Sequence, residues 1–200
     1  MKLNNTYRQK LLNAIIYFTK NVKKPSKVKI FKLLYFMDFK HFQQTGRNVT
    51  NLDYFALEFG PVPLSFYEEV NNNEVPIDFS SVLCIQPFES ENSERKGGMF
   101  KVKPNIKEDI NVFSPREQKI IKELTEIYKD VDAKLISDIS HFKNQPWDKT
   151  IKVKGLNKKI DYELALDKDS EINFEDAEEL INERQEMLKA FPLKERVSKC

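Results

Sequence analysis

The chain has 200 residues, 40% of them hydrophobic and 12% aromatic, which is enough apolar material for a packed core and excludes a disordered chain. Five glycines and 32% charged residues favour a helix-rich protein with short loops, and only Cys84 and Cys200 are present, so a disulfide framework is excluded and a cytoplasmic setting is expected. The net charge of +2 conceals two poles: residues 1–47 hold eleven Lys/Arg against Asp38 alone, whereas residues 161–186 hold eleven acids against Lys168 and Arg184. Such poles fit either a basic surface for an acidic partner or the solvated faces of amphipathic helices.

In chain order, Asn5 to Val22 predicts an amphipathic helix with Leu11, Leu12, Ile15, Ile16 and Phe18 on one face. Its apolar run "LLNAIIYF" is too short to span a bilayer, so no membrane association is expected. Ser26 caps a second helix, about 27–44, whose apolar residues leave little polar surface and mark it as the buried centre of the fold. Gly46 closes it. Tyr54 to Phe59 reads as a brief strand and Gly60-Pro61-Val62-Pro63 as a turn leading into a helix that ends near Val70, before a loop at "NNNE". Ile77 to Gln86 and Met99 to Lys103 read as two strands around the polar "ESENSERKGG" loop.

Ser114-Pro115-Arg116-Glu117 is a helix start, and the helix to about Val131 is expected to bury Ile120, Ile121, Leu124, Ile127 and Tyr128. Ala133 to Phe142 makes a short helix before "NQPW", and Phe174 to Phe191 a final acidic helix ended by Pro192. The expectation is an α+β, predominantly helical fold: a core around one buried helix, with a small antiparallel β element at about 77–103. Residues 1–151 form the main domain, and 152–200 a basic linker plus an acidic helical extension.

The chemistry is sparse. No phosphate loop, dinucleotide fingerprint or H-E-x-x-H motif occurs, and a zinc site would need His41, His141, Cys84 and Cys200 without the usual short spacings. No metal or cofactor is expected. Asp38 and His41, three apart on one helix, suggest either an oriented base or a self-satisfied polar pair. Ser137, Asp138, Ser140 and His141 superficially suggest a hydrolase, but neighbours on one helix do not converge as a triad. Trp147 reads as a packing anchor or an interface residue. The basic N-terminal region with Tyr7, Tyr17, Phe18 and Phe31 raises nucleic-acid binding as an alternative function, although these aromatics fit the buried face better.

Three blocks carry a family resemblance: "KLLYFMDFKHFQQTGR", "YFALEFGPVPLSFYEEV" and "LISDISHFKNQPWDKT". Through Lys32, Leu33, Leu34, Tyr35, Asp38, Gly46-Arg47, Tyr54, Gly60-Pro61-Val62-Pro63, Ser140-His141 and Pro146-Trp147, the chain resembles the Panacea antitoxin domain, also described as SocA-like and phage-associated. The resemblance covers about Leu11 to Ile151 and implies a mainly helical domain with a small sheet. It also implies a non-enzymatic antitoxin that neutralises a cognate toxin by direct contact. One branch is described as a proteolytic adaptor delivering its toxin to a cytoplasmic AAA+ protease. On this reading Arg47, Tyr54, Tyr67, Lys20, Lys23 and Lys24 are candidate contacts. Lys32, Leu33, Leu34, Tyr35, Asp38, Gly46, Gly60, Pro61, Pro63, His141, Pro146 and Trp147 are expected to hold the scaffold.

Overall fold

A computed structural model describes residues 2–71, 75–88 and 97–190. Helix α1 (Lys2–Asn21) turns Leu11, Ala14, Ile15 and Phe18 inward at helical spacing. Helix α2 (Lys27–Thr45) follows, with Ser26 Oγ accepting from Lys29 N and Gly46, at φ 67°, donating its N–H to Phe42 O. Its Ile30, Phe31, Leu33, Leu34, Tyr35, Met37, Phe39 and Phe42 are each 5% exposed or less, so α2 is the hub of the core. Each such side chain withdrawn from water contributes about 1.5–3 kcal/mol.

Strands β1 (Tyr54–Leu57) and β2 (Gly60–Pro63) form an antiparallel hairpin pairing Tyr54 with Pro63 and Ala56 with Pro61. The Gly-Pro-Val-Pro run is therefore a strand, and the turn lies at Glu58-Phe59. Tyr54 and Ala56 direct their backbone groups to the other side, where Ala56 N donates to Lys158 O and Ile160 N to Tyr54 O, both at 2.8 Å. Their partners Pro61 and Pro63 thus occupy positions where the ladder needs no N–H, the placement a proline tolerates. Lys152–Lys159 is shared between the end of a later helix and this extended stretch beside β1.

Helix α3 (Leu64–Asn71) is followed by a single turn of helix, α4 (Ile77–Ser80), where a strand was expected. Pro76 starts this turn, and Arg8 holds Asp78 while gripping Glu69 of α3 in the same guanidinium fork, at 2.5–3.0 Å. Strands β3 (Leu83–Phe88) and β4 (Gly97–Val102) make the second hairpin, as expected for the remainder of that segment. Helix α5 (Pro115–Tyr128) begins with a full capping box between Ser114 and Glu117. It buries Ile120, Ile121 and Leu124, but Ile127 is 60% exposed because Tyr128 takes the inward position and stacks on Phe36. Helices α6 (Ala133–Ser140), α7 (Pro146–Lys154) and α8 (Phe174–Ala190) complete the fold. The expected Pro192 stop, most of the two polar loops and Cys200 lie outside the described residues.

Candidate functional site

Two of the three buried charged side chains on α2, Asp38 and Lys32, organise the surface around them. Asp38, 0% exposed, accepts from Val49 N (2.8 Å), Thr50 N (2.9 Å), the Thr50 hydroxyl and the Tyr54 hydroxyl (2.8 Å). Burial pushes its pKa above the usual carboxylate range, against the lowering effect of these hydrogen bonds. The arrangement ties the segment after Gly46 and the start of β1 to the central helix.

Lys32, 1% exposed, donates to Phe59 O (2.8 Å) and Pro61 O (2.9 Å) on the β1–β2 turn. Ser137 of α6 donates to the same Phe59 carbonyl at 2.9 Å, and Ser140 donates to Ser137 O at 2.6 Å. His141, which ends α6, lies against Trp147 with ring centroids 4.3 Å apart, and Trp147 Nε1 donates to Leu57 O at 3.0 Å. Gly60 sits at the centre with φ 98°. A Cβ there would lie 2.4 Å from Lys32 Nζ, 2.6 Å from His141 Nε2 and 2.7 Å from Ser140 Oγ. Only glycine fits this close approach. Burial lowers the Lys32 pKa to about 7, and burial together with the Lys32 charge lowers that of His141. Interaction with the Phe59 backbone offsets part of that lowering at His141.

Residues from three distant blocks therefore meet at one joint: Lys32, Gly60, Pro61, His141 and Trp147. Leu33, Leu34 and Tyr35 lie in the core, Gly46 caps α2, and buried Pro63 and Pro146 lead into α3 and α7. Tyr54, expected among the contact residues, is 0% exposed with its hydroxyl on Asp38, so it has no surface to offer a partner. Tyr67 is 42% exposed, with its ring edge-on to Phe31. Lys20 pairs with Glu108 and Lys23 with Asp130, both at 2.7 Å. Lys24 and Arg47 are exposed and form no ion pair among the described residues.

Asp38 and His41 do not act on each other: His41 Nδ1 donates to Arg47 O at 2.6 Å, and its Nε2 lies 3.9 Å from Glu117 Oε1. Ser137 and Ser140 spend their hydroxyl protons on backbone carbonyls. Sequence reasoning missed the roles of Ser137 and Thr50, small hydroxyl residues whose importance depends on which carbonyl or carboxylate the fold brings to them.

A family model described as "Antitoxin SocA-like, Panacea domain" matches residues 30–148. The chain belongs to this family. No curated protein and no solved structure matches it. The Panacea match spans both the Asp38 cage and the Lys32 joint. Membership of a SocA-like antitoxin family implies a toxin as partner. The Panacea segment is also braced from outside the match. Tyr162 stacks on Phe39 at 4.4 Å and donates to Leu52 O at 2.7 Å, while Arg184 of α8 donates to Asn48 Oδ1 at 3.0 Å. No helix among the described residues is long and apolar enough to cross a membrane.

Proposed function

We propose that this chain is a cytoplasmic antitoxin that neutralises a cognate toxin by direct binding, without catalysis of its own. The observation that carries this reading, beside the family, is the inward use of the motif's Lys32, Asp38, Tyr54 and Ser140, whose polar heads are all buried. Lys32 and Ser140 are each 1% exposed and already bonded to backbone carbonyls, so a substrate does not reach them. The polar groups set the shape of a surface, and a preorganised surface loses less conformational entropy on binding. Delivery of the toxin to an AAA+ protease is the stronger version of this function, and it requires the toxin's half-life to fall when the chain is present.

A nucleic-acid-binding regulator is the second reading, and the ion pairs weigh against it. Arg8, Lys10, Lys20, Lys23 and Lys40 of the basic N-terminal region each pair with a carboxylate of the same chain. Lys29 and Lys32 are buried on carbonyls. Little of the apparent positive charge is left for phosphates. The test is co-expression with the product of the adjacent reading frame, scored by growth and then by pull-down at low and high salt. Growth arrest relieved by the chain, with a complex that survives high salt, is expected. A harmless neighbour with no complex, or nucleic acid that co-purifies and is stripped by salt, overturns the reading.

A further inference from the structure

The β3–β4 hairpin has one closed edge and, among the described residues, one open edge. On β4, Phe100 N donates to Pro25 O at 2.9 Å, so this residue directs its backbone away from β3 and the turn before α2 covers that side. In an antiparallel ladder its cross-strand partner, Ile85, must then direct its own N–H and C=O away from β4. Leu83 and Pro87, two residues to either side, do the same. Among the described residues nothing outside the hairpin bonds the backbone of Leu83 or Ile85. Pro87 carries no N–H, which limits the open edge to a short stretch.

A groove of about 450 Å³ lies over the hairpin face that carries the Leu83, Ile85 and Pro87 side chains. Leu83, Ile85 and Pro87 form one wall, and Val70, Val75 and Phe79 the other. Lys27 and Lys103 also line it. Lys27 differs from the paired cations of α1: its Nζ donates to the neutral Asn71 Oδ1 at 2.6 Å, and no carboxylate among the described residues pairs with it. Burial lowers its pKa. A half-buried cation with no carboxylate partner among the described residues, in an apolar groove next to the strand whose outer backbone groups those residues leave unbonded, matches an extended segment that brings alternating apolar side chains and one carboxylate.

We infer that an extended, carboxylate-bearing segment of the toxin adds to β3 as a third strand, bonding Leu83 and Ile85 and placing its acid on Lys27. This rests on the antitoxin reading above and names the surface it uses.

The test is calorimetric titration of the full chain with the toxic product of the adjacent reading frame. Ile85→Pro removes a donor that the β4 ladder does not use. Lys27→Glu reverses the unpaired charge at a position, the first turn of α2, where an acid suits the helix. Each is expected to weaken the complex by about tenfold or more, whereas Lys27→Arg and the distant, 82% exposed Val153→Ala stay within about threefold of wild type. Hydrogen exchange on the wild-type complex is expected to show slowed amides at Leu83 and Ile85, a readout that holds even if Ile85→Pro disturbs the hairpin. A wild-type complex that tolerates Lys27→Glu and leaves both amides at their free rates overturns the groove and leaves the antitoxin reading standing. A wild-type chain that forms no complex removes both.

Discussion

Asp38 and Lys32 lie six residues apart on α2, both buried, and they anchor the surrounding chain in opposite ways. The carboxylate is enclosed by donors, two backbone amides and two hydroxyls, all supplied by the segment after Gly46 and the start of β1. The ammonium is bonded to carbonyls and borders the His141 ring across Gly60. Asp38 is a carboxylate met by four donors; Lys32 is an ammonium whose charge burial disfavours. The same helix thus fixes one segment firmly and holds the β1–β2 turn by a bond that pH can weaken.

The largest effect expected from this contrast is at Asp38. Asp38→Ala leaves two amides and two hydroxyls without their acceptor and is expected to cost about 3–5 kcal/mol in urea denaturation. A loss under about 1 kcal/mol would mean that water or a rearranged loop replaces the cage. At the Lys32 joint, Gly60→Ala combines a left-handed φ of 98° with a Cβ driven into Lys32 and His141, and about 2–3 kcal/mol is expected. Gly155→Ala is its control: φ 83° and ψ −173° lie in a region essentially limited to glycine, but nothing lies within 4 Å of the added Cβ, so the backbone cost alone, about 1–3 kcal/mol, should appear.

The pH dependence separates the two anchors further. The Lys32 pKa in the fold is lowered to about 7, from 10.5 for the free side chain. The folded state therefore binds fewer protons than the unfolded state between those values, and stability must fall as pH drops from about 10 to about 7. Lys32→Met is expected to flatten that slope; an unchanged slope would assign it to other groups. The smallest effect expected is Ser137→Ala. It removes one of the donors to Phe59 O while Lys32 keeps the carbonyl bonded, and about 1 kcal/mol follows, measurable as a shift in the urea midpoint.

Local signals made the helical part of this fold legible. Ser26, Gly46 and the Ser114–Glu117 box each act within a few residues, so the ends of α2 and the start of α5 could be read directly. Gly60–Pro63 could not. Two prolines normally mark a turn, and only the bonds from Ala56 and Tyr54 to residues 158–160 show why they fit a strand. The turn of helix at Ile77–Ser80 depends likewise on Arg8, some seventy positions away, holding Asp78. At the site, the family motif marked the residues of the joint but not their direction. Tyr54 looked like a surface aromatic until Asp38 was seen to receive its hydroxyl. The basic N-terminal region looked like a binding face because the acids that neutralise it come from α3, α4, α5 and the segments flanking α5.

Binding and catalysis differ in stoichiometry, and that difference tests the account most directly. Toxin activity should be titrated against increasing amounts of the purified chain at a fixed toxin concentration well above the dissociation constant. Neutralisation is expected to rise linearly and stop at a fixed molar ratio, in high salt as in low. Complete loss of toxin activity at a small fraction of that ratio, growing with incubation time in the absence of a protease, would show turnover and contradict a scaffold that acts by contact alone.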